Sequence, residues 1–380
     1  MMREAYIVAY GRTAIGKAKN GGLAGFHPVD WTARALNAVL AKIPQLVPEN
    51  IDDLILGCAR HENRCNKNMA RLVALRAGLP YSVPAQTINR FCSSGLQTVA
   101  TASYTIAAGA ADIIIAGGIE QMSMNLTRAD DDDNEWLSGN EPGAYIAMGM
   151  TAENVAAKYS ISRQEQDEFA VLSHKRAAQA QENGYLKKAI VPIDIGGKLF
   201  SQDEGIRADT NITKLAALKP CFKEDGSVTA ATSSQASDGA SFTVLMSGET
   251  CSKLGVKPLA RLTGHVVTGC DPLFMGLGPI TAVPKLLGKT GSKLNDFDVI
   301  ELNEAFASQA IACVRVLGLP EERFNPWGGA IALGHPMGAT GCVLICKALD
   351  YLDLTGGTRA LITMCIGGGM GAAGIVERVV

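Results

Sequence analysis

Runs of apolar residues that stop at glycine mark the buried strands of this chain. The two clearest are "ADIIIAGG" in the first half of the sequence and "TRALITMCIGGG" near its end. Uninterrupted apolar runs of this length are typical of strands that are covered on both faces. Segments with helical spacing separate such strands. The pattern therefore predicts an α/β fold in which right-handed crossovers join parallel strands.

The same pattern of strand and helix occurs twice along the chain. "NIDDLILGC" and "DFDVIELN" are both predicted to be short strands that begin with acidic residues, and each is followed by a helix. From Asp53 to Gly95 there are 42 residues, and from Asp298 to Gly341 there are 43. Gly95 and Gly341 are expected to open the two helices, after "CSS" and "GAT". A repeat of this length predicts a duplicated architecture.

We expect three regions: an α/β half at residues 1–120, an inserted loop subdomain at 121–250 and a second α/β half at 251–380. The two halves are predicted to pack about a pseudo-twofold axis. In the inserted subdomain, "RADDDDNEWLSGNEPG" is predicted to be a polar, acidic surface loop. Ser162, with Glu165 three residues later, forms a capping box that predicts a helix start. Such a subdomain is placed to cover a site between the halves.

Charge and composition exclude several classes of function. A net charge of -2 gives no general attraction to nucleic acid or to an anionic membrane. No apolar run reaches the length of a membrane span, and the first residues lack the pattern of a signal peptide, so we expect a cytoplasmic location. The ten cysteines form no CxxC pair and are interpreted as reduced thiols. Cys342 and Cys346 are expected to face a helical core, and no metal site is predicted.

Three residues stand where chemistry is expected. Cys92 lies at the start of the first repeated helix, where free N–H groups and the helix dipole favour a thiolate. His335 lies in the glycine-dense loop before the corresponding helix of the second copy. Cys365 ends a buried strand, and ligands of α/β sheets bind at the carboxyl ends of strands. A purely structural role stays open for each of these residues.

Four sequence blocks resemble the signature blocks of thiolases: "NRFCSSGLQ", "NEAFASQ", "GGAIALGHPMGATG" and "CIGGGMG". The secondary blocks "AGGIEQMSM", "MGMTAENVA", "SDGAS" and "MGLGP" also match, in the order of the family. The resemblance covers almost the whole chain. It implies the thiolase fold, two βαβαβαββ halves with a loop subdomain between them. It also implies an acyltransferase that cleaves 3-ketoacyl-CoA with CoA into acyl-CoA and acetyl-CoA, as in fatty-acid beta-oxidation.

The resemblance implies a role for each residue of the site. Cys92 matches the nucleophile that carries the acyl group, and His335 matches the base that activates it. Cys365 matches the second cysteine, which moves a proton to and from the substrate. Asn303 matches the asparagine that holds a water, which makes one oxyanion hole together with the side chain of His335. The backbone N–H groups of Cys92 and Gly367 match the second oxyanion hole.

The resemblance also implies a CoA site, with CoA as a substrate and no cofactor. The residues that match its lining are Met148, Lys219, Ser234, Met275 and Phe306. Lys219 stands where the family often has arginine, so the charge is kept and the planar fork is lost. Thiolases assemble as dimers or dimers of dimers, and we expect a homodimer or a homotetramer. Whether a multienzyme partner exists stays open.

Individual sequence blocks distinguish this function from related ones. "FCSSGLQ" and "NPWGG" look closer to degradative 3-ketoacyl-CoA thiolases than to acetoacetyl-CoA thiolases, which work in the condensing direction. "TAAT" and "HENRCNKNMAR" depart from the family pattern near the CoA pocket and the dimer interface. Ketosynthases have a catalytic set of one cysteine and two histidines. The cysteine of "CIGGG" argues against this chain being a ketosynthase. A non-catalytic, lipid-carrying thiolase-like protein is expected to lose a catalytic residue, and none is missing here.

The position of Cys92 leads to a prediction about its ionisation. Helix N–H groups and an imidazolium at His335 would both stabilise a thiolate. The pKa of Cys92 is therefore expected to lie below the ordinary value of about 8.5. Most of the other nine thiols are expected to be buried and inert.

Overall fold

The computed structural model describes residues 3–124 and 133–380, apart from the side chain of Asn63. Its strands are β1 (Ala5–Arg12), β2 (Gly16–Lys17), β3 (Asp53–Gly57), β4 (Ala85–Ile88), β5 (Ile113–Gln121), β6 (Ile193–Ile195), β7 (Lys198–Phe200), β8 (Ser237–Ser247), β9 (Ala260–Gly269), β10 (Val299–Leu302), β11 (Arg359–Ile366) and β12 (Met370–Arg378). Its α-helices are α1 (Pro28–Leu40), α2 (Met69–Arg76), α3 (Ser94–Ala107), α4 (Glu135–Asn140), α5 (Met148–Lys158), α6 (Arg163–Glu182), α7 (Ile212–Ala216), α8 (Gly248–Leu254), α9 (Gly278–Thr290), α10 (Ala307–Leu317), α11 (Ala330–Leu333) and α12 (Met337–Thr355). The apolar runs and the acidic-headed segments that predicted strands are all strands.

One large sheet runs through the molecule in the order β10-β11-β12-β9-β1-β8-β5-β3-β4, with β2 paired to β8. Strands β4, β3 and β5 are parallel, as are β10 and β11, whereas β8, β1, β9 and β12 pair antiparallel. The predicted parallel strands are therefore present in each half, whereas the antiparallel pairs make the sheet as a whole mixed. In the second half the cause is local: Gly368 and Gly369 adopt φ of 78° and 80° in a tight turn that reverses β11 directly into β12.

The duplication appears as a repeated set of hydrogen bonds. The carboxylate of Asp52 accepts bonds from the backbone N–H groups 60 and 61 residues later, where β5 begins. The carboxylate of Asp298 accepts bonds at the same separations, 60 and 61, where β11 begins. The equivalent of Asp298 is thus Asp52, one residue before the Asp53 that the sequence pattern indicated.

Two helices, α3 and α12, cross in the middle of the molecule at glycines. A Cβ on Gly95 would lie 2.8 Å from the backbone nitrogen of Cys342, and a Cβ on Gly341 would lie 2.2 Å from that of Leu96. Only glycine permits so close an approach of the backbones. Gly341 lies inside α12, which begins at Met337, so the prediction that this glycine opens the helix is wrong.

The buried side chains form layers on either side of these central helices. The inner faces of both halves of the sheet pack on α3 and α12. Helices α1 and α2 cover the outer face of the first half, and α9 and α10 cover that of the second. The layers are thus helices, one half of the sheet, the two central helices, the other half of the sheet and helices again. The starts of α3 and α12 lie together at one end of the molecule.

The middle of the chain follows its sequence signals in part. Helix α6 begins with the predicted capping box of Ser162 and Glu165. The segment predicted as an acidic loop contains α4, and its residues 128–132 lie outside the described residues. Strand β8 falls between residues 121 and 250 and pairs with β1 and β5. The division of the chain at residues 120 and 250 stays a prediction.

Within residues 3–124 and 133–380, every helix is too short or too polar to cross a bilayer.

Candidate active site

A tight turn between β4 and α3 presents Cys92. The N–H of Phe91 donates to the side-chain oxygen of Asn89 at 2.7 Å, and the Asn89 amide donates to the carbonyl of Ala59 at 2.9 Å. The hydroxyl of Ser94 donates to the carbonyl of Phe91 at 2.7 Å. These bonds hold Phe91 at a φ of 43°, which residues other than glycine seldom adopt. Cys92 therefore lies in the turn of 3-10 helix that leads into α3, as predicted.

Burial controls the ionisation of Cys92. The residue is 7% exposed, and burial raises the pKa of its thiol to about 11. The backbone N–H groups of Gly367 and of Cys92 itself lower this pKa, and they do so by less than burial raises it. The prediction of a pKa below the ordinary value is therefore wrong, because the cost of desolvating the thiolate exceeds the stabilisation by the N–H groups.

We expect the rate constant for alkylation of Cys92 by iodoacetamide to rise about tenfold per pH unit from pH 7 to 9, because the thiol is protonated throughout this range. The rates are measured by peptide mapping in a Cys221→Ser background, since Cys221 is the exposed thiol among the free cysteines. A rate constant that levels off below pH 8 would show a stable thiolate and contradict this assignment.

The hydrogen bonds of His335 define its tautomer. Its Nδ1 lies 2.7 Å from the hydroxyl oxygen of Thr340, and that hydroxyl donates to the carbonyl of Pro336 at 3.0 Å. The hydroxyl oxygen must then accept from Nδ1–H, which leaves Nε2 without a proton. Nε2 in turn lies 3.3 Å from the amide nitrogen of Asn303, which donates to it. The lone pair of the neutral ring is therefore on Nε2, where it accepts from the Asn303 amide.

The pair of His335 and Asn303 is buried and neutral. Burial lowers the pKa of His335 to about 4, so the ring is an imidazole near pH 7 and the predicted imidazolium is absent. A neutral imidazole is able to take a proton from a thiol as that thiol attacks. The Oδ1 atom of Asn303 is buried and has no hydrogen-bond partner among the described residues. This oxygen is available to a water or to a substrate group.

Cys365 lies near the end of β11, fully buried. Burial raises the pKa of its thiol, and the neighbouring Cys92 raises it further. The turn after β11 places the N–H of Gly367 against the sulfur of Cys92. The two thiols are therefore close enough to interact electrostatically, and both hold their protons at rest.

All four residues lie at one end of the fold. Cys92 and His335 stand directly before α3 and α12, whose first turns are in contact, since a Cβ on Gly95 would lie 3.0 Å from the carbonyl oxygen of Gly338. Asn303 follows β10 and its N–H donates to the carbonyl of Thr363 on β11 at 3.0 Å. The ends of two adjacent strands and the starts of two adjacent helices thus enclose the site.

Three of the residues predicted to line the CoA site lie in or next to the buried cluster that contains Cys365. Met275 and Phe306 share a buried cluster with it. The N–H of Ser234 donates to the carbonyl of Ala305, next to Phe306, at 2.9 Å. Met275 and Phe306 therefore pack in the cluster of the second thiol, and Ser234 lies at its edge.

The other two predicted CoA-site residues are exposed. Met148 begins α5 and is 38% exposed, and its sulfur would lie 3.8 Å from a Cβ on Gly367. The ring of Phe91, which is 43% exposed, would lie 3.5 Å from the same Cβ. Met148 and Phe91 therefore form an apolar entrance above Gly367. Lys219 lies on the surface and is no part of the buried cluster.

Three polar residues that hold the site were not predicted from the sequence. Thr340 fixes the His335 ring, and the hydroxyl of Ser237 accepts from the N–H of His335 at 3.1 Å. The side-chain oxygen of Gln309 accepts from the N–H of Ala305 at 3.2 Å, which supports the loop that carries Asn303. All three lie inside the blocks "GATG", "SDGAS" and "NEAFASQ". Polar residues inside otherwise apolar or glycine-rich blocks were the available signal.

One group among the described residues has the spacing of a metal site. Ligand atoms of Cys58, Cys65 and Glu120 lie within 4.8 Å of one another, and all three residues are buried. The carboxylate of Glu120 already accepts bonds from three backbone N–H groups, including that of Gly338 at 2.9 Å. Hydrogen bonding with Cys65 and burial raise the pKa of Cys58. The hydrogen bonds of this carboxylate tie β3 and β5 to the start of α12.

Comparisons with known proteins identify the family of the chain. The family models "Thiolase, N-terminal domain" and "Thiolase, C-terminal domain" match residues 5–249 and 256–378. The chain is similar to a 3-ketoacyl-CoA thiolase of Bacillus subtilis, at 46% identity over 99% of this chain and 100% of the relative. It is also similar to an acetyl-CoA acetyltransferase of Chromobacterium violaceum, at 43% identity over 99% and 100% of the two chains.

A solved structure extends the similarity to three dimensions. The crystal structure of human mitochondrial 3-ketoacyl-CoA thiolase in complex with CoA matches with a TM-score of 0.91 and 36% identity, over 100% of this chain and 98% of that one. The predicted thiolase fold is confirmed, and so is the predicted class of enzyme, an acyltransferase. The two family models together match nearly the whole chain. The chain therefore belongs to the thiolase family.

Proposed function

We propose that this acyltransferase cleaves 3-ketoacyl-CoA with CoA, in the direction of fatty-acid beta-oxidation, through an acyl group carried on Cys92. The observation that carries the proposal is that two protonated thiols and a neutral imidazole with its lone pair on Nε2 lie at the same end of the fold. A soft sulfur nucleophile, a base for it and a separate acid for carbon are the groups that this reaction requires. A cytoplasmic location stays a prediction.

In the first half-reaction, the sulfur of Cys92 attacks the C3 carbonyl of the substrate while Nε2 of His335 takes the thiol proton. The C2–C3 bond then breaks, and its electron pair leaves with the enolate of acetyl-CoA. The thiol of Cys365 protonates C2, which gives acetyl-CoA and leaves Cys365 as a thiolate. The Nδ1–H bond to Thr340 supports this role for His335, because it reserves Nε2 for the transferred proton.

In the second half-reaction, the thiolate of Cys365 takes the proton from the thiol of CoA. The CoA sulfur attacks the acyl carbon on Cys92, and the sulfur of Cys92 leaves and recovers its proton from His335. Acyl-CoA is released and all groups return to their first state. Burial supports the role of Cys365, since a thiolate in an apolar cluster is a strong base.

Two sets of donors would stabilise the oxyanions. The enolate oxygen of acetyl-CoA is proposed to lie against the protonated Nε2 of His335 and a water held by Asn303, whose buried Oδ1 supports the assignment. The oxyanion formed at the acyl carbon is proposed to lie against the N–H groups of Cys92 and Gly367, which already face the sulfur. Donors fixed in advance of the reaction stabilise charge as it develops.

The CoA chain is proposed to run along the five residues predicted to line its site. Met275 and Phe306 would contact the part nearest Cys365, and Ser234 the amide groups beyond. Met148 stands at the entrance. Lys219, on the surface, would pair with a CoA phosphate.

We expect thiolysis to favour longer substrates, with kcat/KM about tenfold higher for 3-ketohexanoyl-CoA than for acetoacetyl-CoA, because two further CH2 groups can be buried against the apolar entrance. A panel of 3-ketoacyl-CoAs of increasing length measures this ratio. Phe91→Ala is expected to reduce it, whereas Tyr104→Ala, which removes an exposed aromatic ring at the far end of α3, serves as the matched control.

The same panel separates the alternatives. Cleavage of acetoacetyl-CoA alone would favour an acetoacetyl-CoA thiolase working in the condensing direction, which the similarity to an acetyl-CoA acetyltransferase supports. Binding of the substrates with no release of acetyl-CoA would favour the hypothesis of a non-catalytic, lipid-carrying thiolase-like protein.

A homodimer or homotetramer is part of the proposal. Strand β4 is an edge of the large sheet, and two residues near it, Leu75 and Tyr81, are 43% and 87% exposed. An unpaired edge beside apolar side chains favours association. Light scattering after gel filtration is expected to give about two or four times the single-chain mass of 39.9 kDa. A species of one chain at micromolar concentration would contradict the proposal.

A further inference from the structure

A second cleft opens where the two halves of the large sheet part. Strands β1 and β9 are paired at a single position, Ile7 with Ala260. Beside this pair lies a cleft of about 540 Å³. Its floor is apolar and includes Val8, Ile43 and Leu349. The volume falls within the range of small-molecule sites.

Four cationic side chains line this cleft, and one carboxylate faces them. The cations are Lys42, Lys188, Lys257 and Arg378, and the carboxylate is Asp353. Asp353 pairs with Lys188 and, at 2.9 Å, with Arg378. The lining therefore carries an excess of positive charge over an apolar floor.

Neither of the two remaining lysines forms an ion pair within 4.0 Å among the described residues, although Lys257 is close enough to Asp353 to lower the pKa of that carboxyl. The ammonium of Lys42 donates to the carbonyl of Tyr10 at 2.7 Å. Desolvation is the largest effect and lowers the pKa of Lys42, the neighbouring Cys346 and Asp350 act in the opposite direction, and the charge of Lys188 lowers the pKa. The nearby carboxylate of Asp350 is occupied, since it accepts bonds from the Tyr10 hydroxyl at 2.8 Å and from a backbone N–H. An anion in the cleft would relieve the repulsion between the cations.

The cleft is separate from the active site. Strand β12 runs antiparallel to β11, with Glu377 opposite Arg359 at one end and Gly371 opposite Cys365 at the other. Arg378, in the cleft, follows Glu377. Six residues of strand correspond to about 20 Å. A molecule bound beside Arg378 would therefore lie at the opposite end of β11 from the thiols.

We propose that this cleft binds a small phosphate monoester, with the phosphate among the cations and an apolar body on the floor. A phosphate dianion offers several acceptor oxygens to ammonium and guanidinium groups at once, whereas a carboxylate offers a single charge. The proposal goes beyond the thiolase reaction and does not depend on the substrate assigned to it.

Titration calorimetry of the whole protein with phenyl phosphate at low ionic strength tests the proposal. We expect one site, binding several-fold tighter than inorganic phosphate because of the apolar floor, and weakening at high salt. The double variant Lys42→Met/Lys257→Met breaks no ion pair recorded in the structure and is expected to weaken binding about tenfold. Lys42→Arg/Lys257→Arg, which keeps both charges, is expected to bind phenyl phosphate with nearly the wild-type affinity.

Lys219→Met is the matched control, because it removes a surface charge at the proposed CoA site. It is expected to leave the affinity for phenyl phosphate unchanged. Unchanged binding in the double methionine variant, weakened binding in Lys219→Met, or no saturable binding by the wild-type protein would each overturn the proposal. Circular dichroism and melting temperature verify that each variant is folded. If the double methionine variant does not fold, Lys257→Met alone, at an exposed lysine, is expected to weaken binding and tests the same point.

Discussion

Replacing Cys365 with alanine is expected to lower turnover by about 10³-fold or more while Cys92 still takes up an acyl group. The enolate of acetyl-CoA is a strong carbon base and needs an acid at C2, which the variant lacks. The thiolate of CoA is a far better leaving group and needs no acid. Acetyl-CoA should therefore still acetylate Cys92, although the ketoacyl substrate is no longer cleaved at a useful rate.

Intact-mass measurement after exposure to acetyl-CoA, together with a thiolysis assay, tests both parts of this expectation. Cys365 is fully buried, so Cys365→Ser provides a second variant of nearly native volume. Turnover that stays near the wild-type rate in both variants would show that the proton moves through another group. A folded variant whose Cys92 no longer takes up an acetyl group would show that Cys365 acts in acylation itself.

Replacing His335 with alanine is expected to lower kcat by about 10²–10⁴-fold near pH 7, because the protonated thiol of Cys92 loses its base. The pKa of Cys92, raised to about 11 by burial, adds a pH signature. Below that pKa the thiolate fraction rises tenfold per pH unit, so the variant should recover activity as the pH rises from 8 to 10. The wild-type rate should change far less, since His335 is already neutral above its pKa of about 4.

His265→Ala is the matched control for this experiment. His265 is also a histidine whose pKa burial lowers to about 4, and it lies on β9, outside the site. Its replacement is expected to leave kcat and the pH profile unchanged. A His335→Ala variant whose residual rate does not depend on pH would indicate that another group removes the proton of Cys92.

The parts of the fold that the sequence predicted are those encoded by neighbouring residues. "ADIIIAGG" is a buried strand because its apolar run leaves no polar face, and Ser162 with Glu165 starts α6 because both hydrogen bonds of the capping box are local. Strand direction is set by pairing between distant segments. The antiparallel position of β8 beside β5 therefore had no local signal.

The features of the candidate site that the sequence predicted are likewise those set by neighbouring residues. The place of Cys92 at a helix start follows from the turn residues Asn89 and Ser94 around it. Its ionisation depends on how deeply the surrounding elements bury the sulfur, and the sequence pattern around the cysteine does not contain that information. The same holds for His335, whose neutral state results from burial and whose tautomer results from Thr340, five residues away on the next turn.

The central claim is that an acyl group resides on the sulfur of Cys92 during turnover. The most direct measurement is peptide mapping by mass spectrometry of enzyme quenched in acid after exposure to 3-ketohexanoyl-CoA with limiting CoA. A butanoyl group is predicted on the peptide that contains Cys92, and this group is expected to disappear when CoA is added before the quench. The Cys92→Ala variant is expected to show no turnover. An acyl group on a different cysteine, or turnover by Cys92→Ala near the wild-type rate, would contradict it.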